Sequence, residues 1–342
     1  MGSIGTAEVG KTGLMVTRLG LGGAGLGGLY SDVSKDMARE TVQQSFALGA
    51  RYFDTAPLYG HGKSEMSLGH GLQGLDRDRL VISTKVGRVL VPVESHPQAG
   101  QFVNPPPLQP VFDYSSDGIL RSLEESLQRL RQDRVEIAFM HDPDAGQAIA
   151  DQDDVEPVHF RQAMDEAYPT LDRLRSEGVL KAIGVGMNQW QALARFARAG
   201  DFDCFLLAGR YTLLDQSALP TLMPLCEEKH ISLILGGPYN SGVLASDLSP
   251  GATYFYSEAP ADVLDRARGV KAVCDRHRVP LKAAALQFGL AHPAVASTIP
   301  GGRSPEEAEE NVRMVEHDIP HDLWAELKQG GFLPDAAPTL SA

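Results

Sequence analysis

Eight short apolar runs alternate with segments of helical period along the 342 residues, and this alternation constrains the fold more than any other feature. The runs are 17–21, 52–53, 80–84, 135–140, 180–185, 204–207, 231–235 and 294–299. Helical periodicity covers 35–48, 64–72, 116–130, 159–176, 189–199, 218–229 and 305–315, with two further helices, 261–277 and 281–290, before the last run. Ser34 is a candidate N-cap with Gly49 as a stop, and Ser304 caps a helix that opens on Pro305. Strands that follow one another through helices need crossover connections, so the pattern predicts a parallel sheet of the α/β class. Eight units without a composition break favour one closed (β/α)8 TIM barrel over an open sheet. The expected layout is a single domain over 1–342, with a hairpin at 7–17 plugging one end, the barrel at about 17–317 and a tail at 318–342.

Composition narrows the function classes. The 35 glycines and 22 prolines fit many short elements joined by turns. With 31 basic and 44 acidic side chains the formal charge is -13, which disfavours a general binder of nucleic acid or anionic membrane. No run approaches the roughly 18 apolar residues of a membrane span, and the first residues lack a basic-then-apolar leader, so the expected location is the cytoplasm. Cys204, Cys226 and Cys274 lack paired spacing, and Pro320 separates His317 from His321 in any helix, so no metal site is expected. No motif specifies an oligomeric state.

Two local matches point elsewhere and fail on context. Gly20-Leu21-Gly22-Gly23-Ala24-Gly25 fits a dinucleotide fingerprint, but the next helix waits for Ser34 instead of opening at once. Tyr59-Gly60-His61-Gly62-Lys63 fits a tyrosine–lysine dyad that should ride a helix, yet two glycines flank His61. His61, His70 and His96 read as loop residues, and Trp190 and Trp324 as packing.

Long connections at 86–115, 142–158 and 236–257 all follow the C-terminal end of a predicted strand, the face on which such barrels place their sites. The ionisable residues there are the informative ones. Asp54 ends the second strand, Lys85 the third and His141 the fourth, with Tyr59 in the loop after Asp54. Taken singly, each is an ordinary strand-end or loop residue; in this order on this scaffold they converge at the barrel mouth. Tyrosine is too weak an acid to serve as a base near neutrality, but a neighbouring ammonium favours its phenolate. Asp54 is therefore expected to fix Lys85, Lys85 to lower the Tyr59 pKa, and His141 to hydrogen-bond a substrate oxygen.

The stretch Gly49-Ala50-Arg51-Tyr52-Phe53-Asp54-Thr55-Ala56-Pro57-Leu58-Tyr59-Gly60 resembles the aldo-keto reductase signature. Ser64-Glu65, Leu68-Gly69, the lysine and histidine strands, Ile183-Gly184-Val185-Gly186-Met187-Asn188 and Ile299-Pro300-Gly301 extend the similarity from about Thr12 to Asn311. The resemblance implies an Asp54, Tyr59, Lys85, His141 tetrad, metal-free hydride transfer and a nicotinamide cofactor at the barrel mouth. Asn188 would meet the nicotinamide carboxamide, Gly237 and Ile299 would line the cofactor, and Arg303, Glu307, Glu310 and Asn311 match positions around the adenosine. Gly301 and Gly302 precede the last helix, whose bare amides read as an anion site.

Departures refine this. Glu307 would repel a 2′-phosphate, so NAD is preferred, with NADP possible through Arg303. The aromatic that stacks on the nicotinamide in relatives falls near Gly236-Gly237, with Tyr239 as a substitute, and Gly186-Met187 replace the usual serine before Asn188. Segments 185–188 and 207–215 look most like the aldose 1-dehydrogenase branch acting on L-fucose or D-threo-aldoses. That implies a small-molecule sugar or aldehyde substrate and oxidation of an anomeric carbon to the lactone, with Tyr59 as general acid/base. The alternatives are an NADPH-dependent aldehyde or ketone reductase on the same site, and a cofactor-sensing binding subunit.

Overall fold

The first and last strands of the sheet meet through backbone hydrogen bonds, so the sheet has no free edge. The computed structural model describes residues 4–94, 100–145 and 156–340, which leaves His96 and much of the 142–158 connection outside the described residues. The barrel strands are Leu21–Gly22, Tyr52–Asp54, Val81–Val86, Ile137–His141, Ala182–Met187, Cys204–Ala208, Ser232–Gly236 and Val295–Ile299. Neighbouring strands pair in parallel throughout. Closure is made by Gly20 N–H donating to Thr298 O at 3.0 Å, Gly22 to Pro300 O at 2.9 Å and Thr298 to Arg18 O at 2.9 Å. The (β/α)8 barrel expected from the alternation is present. Most strands begin one or two residues later than their apolar runs, and the first is reduced to Leu21–Gly22 with a further bridge at Leu19.

The pleat explains where the ionisable side chains go. Successive strand residues face opposite sides. Tyr52, Val81, Ile137, Phe139, Ala182, Cys204, Leu206 and Ile234 form the cluster inside the barrel. Phe53, Ile82, Val86, Ala138, Met140, Ile183 and Val185 join the larger core under the helices. Asp54 therefore shares the inward side with Tyr52, Lys85 with Val81, and His141 with Phe139, because each pair is spaced by an even number. The opening hairpin, Thr6–Glu8 with Met15–Thr17, closes the other end. Its Val9 and Val16 are fully buried in the inner cluster, and Gly10 N–H donates to Ser232 Oγ at 2.8 Å.

Helices Lys35–Ala47, Ser116–Leu130, Ala261–Arg276, Leu281–Leu290 and Pro305–Val315 match their periodicity closely. Ser34 Oγ and Ser304 Oγ accept from Met37 and Glu307 N–H at 3.2 and 3.3 Å, as capping requires. Three segments differ from their periodicity. The 159–176 segment is interrupted by a π turn at Ala163–Ala167, between Phe160–Gln162 and Tyr168–Ser176. The sixth connection starts its helix at Leu222, after Thr221, because Pro220 cannot continue a hydrogen-bonded turn. The tail holds a helix, His321–Gln329, which Pro320 opens instead of interrupting; its Leu323, Trp324 and Leu327 are buried, and it packs on Ala261–Arg276. Two of the long connections also carry hairpins: Arg88–Pro92 with Leu108–Phe112, and Thr253–Tyr254 with Ser257–Glu258.

Inside the barrel, large and small residues alternate across facing strands. A Cβ at Gly184 would stand 1.9 Å from Cys204 O and 2.9 Å from Phe139 Cδ1, whereas at Gly186 its nearest neighbour would be at 3.5 Å. Gly184→Ala should therefore destabilise the protein by about 1–3 kcal/mol or more, and Gly186→Ala by clearly less, as read from urea midpoints.

Candidate active site

The loop after the second strand is held by backbone contacts that need glycine. A Cβ at Gly27 would lie 2.8 Å from both the carbonyl carbon and oxygen of Tyr59, and one at Gly60 only 2.1 Å from Gly27 O. Two bare backbones thus press together and fix the tyrosine. Tyr59 N–H donates to Ala56 O and Ser64 N–H to Tyr59 O, each at 3.1 Å, while Thr55 and Ser64 hydroxyls meet at 2.8 Å.

Lys85 Nζ donates to Asp54 Oδ2 at 2.7 Å and to Thr55 O at 2.9 Å. Both ions are essentially excluded from solvent, at 1% and 2% exposure. Ser83 Oγ donates to the other Asp54 oxygen at 2.7 Å and lies 3.0 Å from the Tyr52 hydroxyl. Burial pushes the Asp54 carboxyl up, against the pull of Lys85 and Ser83. Lys85 Nζ stands 4.5 Å from the centre of the Tyr59 ring, and the Tyr59 and His141 rings meet edge-to-face at 5.7 Å. The four side chains come together as the strand-end reading expected.

The direction of the tyrosine shift differs from expectation. Burial raises the Tyr59 phenol well above its ordinary range, the Asp54 and Asp142 carboxylates add to this, and only Arg88 opposes it. Burial prevails because Lys85 gives its charge to Asp54 at 2.7 Å and so does not offset it. His141 goes the other way: burial, Arg88 and Lys85 hold its imidazole well below the usual range, so it is neutral at pH 7. Its Nδ1 is buried without a hydrogen-bond partner.

These groups line a cavity of about 990 Å³ that runs from Tyr59 and His141 past Asn188, Gly237, Ile299 and Gly301 to Arg303, Glu307, Glu310 and Asn311. That is ample for a cofactor and a small substrate. Gly302 is the one expected cofactor residue that does not line it; it is buried, with a Cβ position facing Leu21 and Thr41. The far end is less bare than expected. Arg303 N–H is taken by Glu307 Oε2 at 2.9 Å, and its guanidinium pairs with the same carboxylate at 2.7 Å. Tyr239, the expected substitute for the stacking aromatic, lines the cavity, and its hydroxyl donates to Asn311 Oδ1 at 2.7 Å. Asn188 Nδ2 donates to Ala208 O at 3.0 Å, and its side chain also hydrogen-bonds Tyr256.

Several lining residues escaped the sequence reading. Lys282 pairs with Glu310 at 2.7 Å from a helix without a motif. Phe102 and Tyr256 enter from long loops. Arg88 and Asp142 stand one to three positions beyond Lys85 and His141, where the strand-end question could have found them. Cys204, Cys226 and Cys274 are buried, and no group of three or more metal-ligating side chains occurs among the described residues. No helix among them is long and apolar enough to cross a membrane.

Removing one member of a buried ion pair leaves the other charge uncompensated. Asp54→Asn should accordingly destabilise the fold by about 3–5 kcal/mol in a denaturant titration.

Comparison with known proteins agrees with this architecture. Residues 18–330 match the aldo/keto reductase family. The chain is 38% identical to a pyridoxal 4-dehydrogenase of Microbacterium luteolum, over 95% of this chain and 97% of that protein. It is also 38% identical to a D-threo-aldose 1-dehydrogenase of a Pseudomonas species, over 94% and 96%. An aldo-keto reductase structure from Bacillus halodurans, in its holo form, superposes with a TM-score of 0.74 at 24% identity, covering 98% of each chain, which supports the fold. The barrel, the family match and these two relatives agree: this chain is an oxidoreductase belonging to the aldo/keto reductase family.

Proposed function

We propose that the protein is an NAD-preferring dehydrogenase that oxidises the hemiacetal carbon of a cyclic aldose, of the L-fucose or D-threo-aldose type, to the lactone. The observation that carries this reading is the meeting of Tyr59, Lys85, Asp54 and His141 at one end of a cavity long enough for a dinucleotide. The two relatives named above act on an aldose and on pyridoxal. An aldose closes on itself through a ring hydroxyl, and the pyridoxal aldehyde closes on its neighbouring hydroxymethyl group. Both therefore present a carbon bearing hydrogen, hydroxyl and ring oxygen, and loss of hydride and a proton from that carbon yields a lactone.

The residues present fit a nicotinamide cofactor. His141 Nδ1 and Asn240 Oδ1 are buried polar atoms without partners in residues that line the cavity, and Gly236 and Gly237 leave its floor without side chains. Asn188, Gly237 and Ile299 would hold the nicotinamide end, and Gly301, Arg303, Glu307, Glu310 and Asn311 the adenosine end, with Gly302 shaping the turn between them. When bound, the nicotinamide supplies the hydride acceptor. Tyr59 takes the hydroxyl proton, neutral His141 hydrogen-bonds the same oxygen, and the Asp54–Lys85 pair keeps the tyrosine side of the pocket rigid and water-poor. Because burial and two carboxylates raise the Tyr59 phenol, its proton-accepting form is populated toward alkaline pH.

The test is turnover of L-fucose, D-arabinose and pyridoxal with each cofactor. Oxidation should climb between about pH 7 and pH 10, and Tyr59→Phe should cost roughly 10²–10⁴-fold in kcat. Unchanged oxidation in that variant overturns the mechanism, and a rate that falls as pH rises contradicts the role of the phenol.

Cofactor preference rests on the Arg303–Glu307 pair, which keeps the arginine from a 2′-phosphate. Glu307→Gln should raise the NADP-to-NAD ratio of kcat/KM by roughly fivefold, equivalent to about 1 kcal/mol at an exposed pair. A wild-type preference for NADP would favour the aldehyde or ketone reductase reading instead.

A further inference from the structure

Beside the tetrad lies an ion pair to which the mechanism above assigns no contact with substrate. Arg88 Nη2 meets Asp142 Oδ2 at 2.9 Å, and both line the cavity, with side chains only 13% and 20% exposed. The guanidinium lies over the Phe112 ring at 4.0 Å from its centre, and its Nε is buried without a hydrogen-bond partner. Phe112 belongs to the hairpin of the long third connection, so that loop clamps the arginine from behind. Asp142 takes a left-handed φ of 49°, with its N–H on Gly186 O at 3.0 Å, a turn that swings its carboxylate back toward the preceding histidine. The Tyr114 hydroxyl donates to His141 O and locks the same turn. As a result Asp142 Oδ2 stands 3.5 Å from His141 Nε2, so a carboxylate and an imidazole sit side by side on the cavity wall.

Hydroxyls on adjacent carbons are separated by about one hydrogen-bond length. A substrate oxygen on His141 thus brings the oxygen of the neighbouring carbon to Asp142. The geometry points to Asp142, held in place by Arg88, as the specificity-determining residue that accepts a hydrogen bond from the hydroxyl on the carbon next to the reacting one. The substrate class is then 2-hydroxyaldehydes and the cyclic hemiacetals they form. This deepens the proposed function and rests on its placement of the reacting oxygen at His141. A carboxylate already anchored by arginine costs little to orient, and a substrate without that hydroxyl leaves it with one donor fewer on the cavity side.

Lactaldehyde and propanal differ only in this hydroxyl, and their reduction with NADH tests the assignment independently of sugar oxidation. The wild-type kcat/KM ratio of lactaldehyde to propanal should be roughly 10- to 100-fold, the range for a hydrogen bond to a charged group. Asp142→Ala should bring it below about threefold, Asp142→Asn should give an intermediate ratio, and Arg88→Met should lower it through a raised KM for lactaldehyde. Thermal melts of each variant establish that it is folded. A ratio that survives in folded Asp142→Ala overturns the proposal, as does a wild-type ratio near one or a folded wild type that reduces neither aldehyde. If the ratio collapses as expected while no aldose is oxidised, the lactone reading fails and the assignment of Asp142 stands.

Discussion

Closure of the barrel is the constraint from which the rest follows. The eighth strand comes close to the first at two glycines. A Cβ on Gly20 would stand 3.0 Å from Ile299 Cγ2, and one on Gly22 2.7 Å from Ile299 O. With the circle closed, every strand has two neighbours and no edge remains to be protected. The same closure brings the ends of the second, third and fourth strands to one mouth and turns their inward residues toward a common axis. The glycines that imitate a dinucleotide loop at 20–25 in part serve this seam.

At that mouth the protein accepts a costly arrangement. Two full charges, Asp54 and Lys85, are removed from water, and their 2.7 Å contact with the hydrogen bonds from Ser83 and to Thr55 O offsets the desolvation. The pair behaves as a neutral wedge beneath Tyr59 more than as a source of positive potential. Burial therefore prevails and the phenol is raised rather than lowered, opposed only by Arg88, which is itself paired with Asp142. Electrostatics in this pocket is set by which charges are already partnered. The same logic holds at the far end, where Arg303 is engaged by Glu307 and Lys282 by Glu310.

The long connections supply what the barrel cannot. Strand ends provide a proton-handling group in fixed geometry, while the third and seventh connections add Arg88, Phe102 and Tyr256 as walls, with Phe112 behind the arginine. Loops with their own hairpins hold such walls more firmly than irregular chain would, since the backbone polar groups are paired within the loop. Variation in these walls can change the substrate while the tetrad beneath them is kept, as befits a scaffold that hosts many chemistries.

Periodicity in the sequence determined the eight strands, most of the helices and the inward placement of Asp54, Lys85 and His141, because a period of two and a period of 3.6 are local properties that burial only reinforces. It also placed Tyr59, Asn188 and the 301–311 segment near one another, through topology alone. Tertiary structure decided the remainder. Whether Pro320 ends a helix or opens one depended on a groove beside Ala261–Arg276 for Leu323, Trp324 and Leu327. The partner of the Tyr239 hydroxyl is Asn311, 72 positions away. The sign of the Tyr59 shift and the company of Arg88 with Asp142 depended on distances between strands. Charge–charge interactions act through space and fall with separation, so pairs formed between strands leave no pattern along the chain.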